Sequence, residues 1–426
     1  MTDTSTRRET TTAVQRRTLA VLSAAQIVGG VGIAIGLALS SVVVDQLSGS
    51  TVISGLAGTA TVLGAALLAL PTAKASGRGG RRGGLAVAYT AALAGCVVSV
   101  LAITIASWPL LLAGLVLVGG GSAGNLAARY SATDLSPKGH AARHLSLVVW
   151  MATIGSVAGP NLAKPTDQMG VSAGLAPNAG PFAFSALAFG LALLIVVLGL
   201  RPDPLKLARS LAGRSTTDTG GKSRTLRDAW AVLRTTPMAR RALVMIAVSH
   251  TAMVSVMSMT PVHLHHNGSS LEIIGMVISL HIAGMYVLSP VVGWLADKAG
   301  RVPVLVLGMA LLLVSAVLAG TAGHRVWQVT VALVILGVGW SCGLVAGSAL
   351  VSESVPIERR PAVQGLSDLL MNVCGASGTV IAGAIVGALS FGVLGLVVGV
   401  MVTAAGVWLA ATGLRAGPLT SRRSSG

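Results

Sequence analysis

Charge is what this chain has least of. Only 10% of its 426 residues are Asp, Glu, Lys or Arg, where about 25% is usual for soluble domains. Acidic residues are scarcer still, 13 against 30 Lys and Arg, and aromatic residues make up 3%. The three cysteines, Cys96, Cys342 and Cys374, each fall inside an apolar run and form no Cys-x-x-Cys pair. The first shortage argues against a soluble enzyme and the last against a disulfide framework. The positive surplus lies in short blocks between apolar runs, which is not the continuous basic stripe of a nucleic-acid-binding protein. What the chain does have is apolar sequence, 53% of it, and such a chain needs the bilayer as its solvent.

A spanning helix takes about 20 apolar residues. Stretches of that length lie near 19 to 43, 52 to 73, 85 to 106, 109 to 131, 142 to 163 and 180 to 200, and again near 241 to 261, 272 to 294, 302 to 322, 327 to 350, 362 to 386 and 391 to 413. The expectation is an all-α membrane protein with twelve transmembrane helices. Twenty-eight of the 30 Lys and Arg fall on one face of that arrangement, with only Lys164 and Arg325 on the other. By the positive-inside rule this places both termini and the central loop in the cytoplasm. The organisation read from the sequence is an N-terminal arm (1–18), a six-helix bundle (19–200), a basic linker (201–239), a second six-helix bundle (240–414) and a tail (415–426). A multi-pass protein of the plasma or inner membrane follows, monomeric, with a lipid bilayer and a small solute or metal ion as partners, no nucleic acid, no resident cofactor and no enzymatic activity.

The halves echo one another, since LVLVGGGSAG (115–124) resembles LVILGVGWSCG (333–343) in the fourth helix of each. Two parallel six-helix repeats joined by a long loop resemble the major facilitator superfamily. GWLADKAGRVP (293–303) is similar to that superfamily's loop signature, with Gly293, Asp297, Gly300 and Arg301 in matching positions. The resemblance implies that Asp297 and Arg301 belong to a charged gating latch; the alternative is a solvated turn with an i,i+4 ion pair. The equivalent stretch of the first half, PTAKASGRGGRRGG (71–84), keeps the bases and has no acid.

Met and His are unevenly spread. Six of 13 Met and five of 8 His lie between Met245 and Met285. At 100° per residue His250, Met253 and Met257 share one stripe of the seventh helix, and His281 and Met285, four apart, share one face of the eighth. Antiparallel neighbours would bring these residues together near the midplane, the depth at which such carriers hold substrate. Thioether and imidazole without carboxylate suit Cu(I). His263, His265 and His266 follow in the external loop PVHLHHNGSSLE, where they would capture metal at the mouth. MVSVM (253–257) and HIAGM (281–285) resemble the MxxxM and HxxxM signatures of the CcoA-like copper importers, which implies Met253, Met257, His281 and Met285 as ligands of a transported copper ion. The competing reading is packing: Met is a common filler of helix contacts, a buried His is equally served by a hydrogen bond to a neighbouring helix, and the loop histidines by water.

In the eleventh helix Gln364, Asp368, Met371 and Asn372 form a polar stripe, and Asp368 is the candidate for proton coupling. Its alternative is an interfacial acid reaching back to Arg359 or Arg360. GSVAGPN (155–161) resembles the Gly-Pro signature of proton-driven drug exporters, although close packing at Gly155 and Gly159 would serve any carrier. The functional alternative to copper import is a proton-coupled carrier of a small organic molecule, by drug efflux, as the Gly-Pro resemblance implies, or by riboflavin uptake, as the resemblance to the copper branch implies through its riboflavin-carrying relatives. The low aromatic count speaks against it, because flat ligands stack on rings.

Overall fold

The computed structural model describes residues 2–54, 56–212 and 225–413. The tail from 415 and residues 213–224 of the linker lie outside the described residues. The described residues form sixteen helices: α1 (Thr2–Ser48), α2 (Thr51–Ser54), α3 (Leu56–Gly79), α4 (Arg81–Thr104), α5 (Trp108–Ser131), α6 (Ala141–Ser172), α7 (Gly180–Gly199), α8 (Pro204–Leu211), α9 (Thr225–Thr235), α10 (Pro237–His266), α11 (Leu271–Tyr286), α12 (Ser289–Ala299), α13 (Arg301–Gly320), α14 (Val326–Ser354), α15 (Arg360–Ala388) and α16 (Phe391–Gly413). Among the described residues eleven helices are long and apolar enough to cross a membrane. The twelfth place in the architecture belongs to α6, whose 32 residues reach about 48 Å at 1.5 Å each. The outward faces of the bundles stay apolar, with Leu187, Leu396 and Val380 among the most exposed side chains, as lipid-facing surface requires.

Three boundaries differ from the sequence reading. The N-terminal arm is not a separate segment, because nothing in it breaks a helix and α1 begins at Thr2. The seventh span runs on through Pro261 to His266, so the three histidines placed in a loop belong to the last turns of α10. The eighth span is two helices, with a seam at Val287 and Leu288 between α11 and α12. Pro290 stands in the first turn of α12, where it lacks the N–H that a continuous helix would need.

The repeat seen in the sequence is a packing repeat. Gly119 on α5 lies against α3 beside Gly64, and Gly337 on α14 lies against α11 beside Gly284; a Cβ at any of the four would overlap backbone of the facing helix. Small residues let the backbones approach closely, so that van der Waals packing holds such helices together in lipid. Gly155 and Gly159 of α6 likewise abut Gly30 and Ala34 of α1, so the Gly-Pro segment is a helix–helix contact in this fold.

Candidate functional site

Between the two bundles lies a cavity of about 570 Å³ that receives side chains from both. The first bundle supplies Gln26 from α1, Ser122, Asn125 and Arg129 from α5, and Ala152 from α6. The second supplies His250 and Met253 from α10, Met285 and Tyr286 from α11, Trp340 from α14, and Met371 and Asn372 from α15. Ser122 and Trp340 occupy corresponding places in the two echoing segments, so the repeat puts a hydroxyl on one wall and an indole on the other. Trp340 meets Tyr286 edge to face, with centroids 5.8 Å apart at 86°. Its Nε1–H donates to His250 Nδ1 at 3.1 Å. That bond requires a bare Nδ1, which puts the proton of the neutral ring on Nε2. Tyr89 donates to Asn125 Oδ1 at 3.1 Å and fixes that amide.

The floor of the cavity is an ion pair across the two halves. Arg129 Nη2 donates to Asp368 Oδ1 at 2.7 Å, and Arg129 Nε to Ser348 Oγ at 3.2 Å; both charged side chains are buried. Asp368 thus reaches neither Arg359 nor Arg360. Below it Arg81 grips Asp134 through two bonds of 2.6 and 2.9 Å, and its Nη2 crosses to Gln364 Oε1 at 2.8 Å. Tyr130 donates to Ser367 Oγ at 3.1 Å. The polar stripe of α15 therefore faces the first bundle along its length, with Gln364 and Asp368 in the floor and Met371 and Asn372 in the cavity.

Asp297 sits where α12 meets α6. Its two oxygens accept from the backbone N–H groups of Ala142 and Arg143 at 3.2 and 3.0 Å, the free donors of the first turn of α6. A carboxylate at that end also complements the helix dipole. Arg301 Nη2 bonds Asp297 at 2.8 Å and Glu353 at 2.6 Å. This acid is tied to the other bundle, which a solvated turn would not be. All of these ties lie on the face that carries the Lys and Arg blocks, so the halves are drawn together there.

The metal-ligand ladder does not assemble as its spacing suggests. Met253, Met285 and His250 line the cavity, whereas Met257 and His281 do not. Although Met257 shares its stripe, it stands about 10 Å farther along the axis than His250 and packs on the core of the second bundle. His281 is fully buried, with Nδ1 at 2.7 Å from the carbonyl of Leu333 on α14. Since α11 lies along α14, the face shared by His281 and Met285 is split between that contact and the cavity. His263 is engaged as well: Nε2 meets the Gly323 carbonyl at 2.9 Å, and the ring stacks on Phe391 at 4.3 Å. His265 and His266 are exposed on the last turn of α10. Among the described residues no group of three or more His, Cys, Asp and Glu is placed to hold a metal ion.

Arg129, Trp340, Tyr286, Gln26, Ser122 and Asn125 are among the cavity residues absent from the sequence-derived site. Arg129 had a signal, because a buried acid such as Asp368 needs a partner and Arg129 stands inside the apolar end of α5. Trp340 and Tyr286 had none, as composition counts rings without placing them.

The arrangement belongs to a known family pattern. A sequence profile described as Major Facilitator Superfamily matches residues 19–271 and 242–425. The chain is 35% identical over 392 residues to the uncharacterized MFS-type transporter YdeG of Bacillus subtilis (strain 168), covering 91% of this chain and 89% of that one. It is 26% identical over 356 residues to the riboflavin transporter RfnT of Brucella anthropi, covering 84% and 85%. Its fold is similar to the crystal structure of the human organic anion transporter MFSD10 (TETRAN), with a TM-score of 0.74 at 16% identity over 93% of this chain and 99% of that one.

Proposed function

From the premise that this chain belongs to the Major Facilitator Superfamily and is a multi-pass membrane transporter, we propose that it is a proton-coupled carrier of a small, ring-bearing organic solute in the plasma membrane. It works by alternating access, with the basic face in the cytoplasm. The single observation that carries this reading is the cavity: about 570 Å³ between the halves, within the 300–1,000 Å³ of small-molecule sites and far larger than an ion needs. Its Trp340–Tyr286 corner offers ring faces, and its amides at Gln26, Asn125 and Asn372 offer donors and acceptors around a flat heterocycle. Similarity to a riboflavin transporter supports a ligand of this shape. The scarcity of aromatic residues is no objection once two of them meet in the cavity.

In this reading Asp297 with Arg301 is the latch of the cytoplasmic mouth, and Asp368 is the proton-coupling acid. Alternating access requires the inter-half ties to break on one face and form on the other, and a carboxylate buried against Arg129 responds to protonation by releasing its partner.

Copper import is the second reading, favoured by one observation: Met253, Met285 and Met371 bring three thioethers to the cavity beside His250, a soft donor set. Against it stand the placements of Met257 and His281, the bond that occupies His250 Nδ1, and the guanidinium of Arg129, which repels a cation. Proteoliposomes separate the two. Vesicles with the wild-type protein are expected to take up a flat ring-bearing solute down a proton gradient, assayed as naphthalene-2-sulfonate beside the neutral riboflavin, with Trp340→Ala lowering the rate about tenfold, as the loss of one stacking and hydrogen-bonding side chain implies. Uptake of Cu(I) instead, abolished by Met253→Leu with Met285→Leu, would reverse the order of the readings.

A further inference from the structure

Resting on the organic-solute reading, we infer that the transported solute is an organic monoanion, and that its negative group replaces the Asp368 carboxylate as the partner of Arg129 whenever Asp368 is protonated.

Among the residues that line the cavity Arg129 carries the permanent charge, and no carboxylate lines it. Asp368, one layer below, supplies the compensation, facing instead a water-sized void beside Arg81 and Gln364. Arg129 is 1% exposed, and its Nη1 has no hydrogen-bond partner. A guanidinium cannot lose its proton in a protein. Once Asp368 takes up a proton, Arg129 becomes a buried cation at the bottom of a chamber whose other walls are neutral, and an uncompensated charge out of water is strongly unfavourable. An anion entering the cavity removes that cost, and protonation of Asp368 removes the carboxylate with which the anion competes. Each event therefore favours the other, by the reciprocity that links two ligands of one site.

The balance is simple. The proton leaves solution for a carboxylate oxygen of Asp368, the Arg129–Asp368 ion pair ends, and an oxygen of the solute accepts from Arg129. On the opposite face the solute departs, the pair reforms and the proton is released. One proton and one monoanion move together with no net charge. The charged and titratable groups around the exchange are Arg129 and Tyr130 of α5, Arg81 of α4 with Asp134 beyond it, His250 of α10 and Tyr286 of α11. Of these His250 would also attract an anion at low pH, so a test must tell it from Asp368.

The experiment uses two naphthalene probes on the purified full-length protein: naphthalene-2-sulfonate, anionic at every pH used, and the neutral 2-naphthalenemethanol. Binding is measured by calorimetry at pH 5.5 and pH 8. Expected is sulfonate binding that tightens about tenfold at the lower pH, which corresponds to about 1.4 kcal/mol, with the alcohol insensitive to pH. Asp368→Asn should bind the sulfonate tightly at both pH values, and Arg129→Gln should lose the preference for it. Equal binding of the two probes by the wild type would overturn the anion inference while leaving the ring-solute reading standing. Binding of neither would end both. A pH response that survives in Asp368→Asn would move the effect to His250 and overturn the exchange. The wild-type comparison decides between anion and neutral solute even where a variant fails to fold.

Discussion

Two joints on the basic face, α3 to α4 in the first bundle and α12 to α13 in the second, share a backbone and differ in chemistry. Each turns at a glycine of positive φ, Gly80 at 82° and Gly300 at 102°, followed at once by an arginine. Each arginine holds an acid at the close of a helix of its own bundle, Arg81 to Asp134 in the turn just after α5 and Arg301 to Glu353 in the last turn of α14. Three residues before the glycine the two part. Asp297 caps α6 of the opposite bundle, whereas Gly77 has no side chain and its carbonyl accepts from Arg209 of α8 at 2.8 Å. The first joint crosses to the other half through Arg81 and the neutral Gln364 instead. An acid does reach it, but from the linker: Asp203 caps α8 and accepts from the backbone N–H of Arg82 at 2.8 Å. The same fold closes one side with a charge on a helix end and the other with an arginine on an amide, and only the first arrangement is undone by removing a single carboxylate.

That contrast can be broken most strongly at Asp297. Asp297→Asn weakens two charge-assisted bonds to backbone, worth about 2 kcal/mol together. Amide hydrogen exchange should accelerate at least tenfold in the first turn of α6 while the start of α15 is unchanged; equal acceleration at both would mean that the joints are not independent. A smaller effect is expected from the glycines. Gly300→Ala makes only ordinary contact with Pro303 and suffers chiefly from its backbone, whose φ of 102° and ψ of 159° are nearly exclusive to glycine, at about 1–3 kcal/mol, whereas Gly80→Ala would also overlap the Asp203 carboxylate. Thermal unfolding should therefore rank Gly80→Ala below Gly300→Ala, and the reverse order would show that Asp203 yields freely. The smallest effect sharpens the comparison by making the joints alike. Gly77 has room for a side chain, and Gly77→Asp should protect the first turn of α15 by about 0.5–1 kcal/mol, the worth of a carboxylate near a helix N-terminus; exchange unchanged there would mean that the new acid turns toward Arg209.

The spans, the repeat and the acid of the second joint were legible in the sequence because each is local: an apolar run, a Gly-rich echo, a short signature. The absence of an acid from 71–84 was also read correctly, while its supply from Asp203, more than a hundred positions away, was not. The site was half legible. Helical spacing put Met253 and His250 on one face and Asp368 in a polar stripe, and all three touch the cavity or its floor. Spacing fixes a face without naming the neighbour it meets, so His281 fell to the Leu333 carbonyl and Met257 to packing. Arg129 was counted among the interfacial charges because it stands near the end of α5; its partner Asp368 lies 239 positions away, a pairing no local pattern contains.

The seam at Val287 and Leu288 divides one span between two loyalties. Above it, α11 is riveted to α14 by the Gly284–Gly337 approach and the His281 bond; below it, α12 hangs on the first turn of α6 through Asp297. In the proposed cycle the bundles rock apart at the basic face, and the upper piece must then travel with its own bundle until the lower piece lets go. That cycle puts the bend at the seam, an elbow directly after Met285 and Tyr286, two residues that line the cavity.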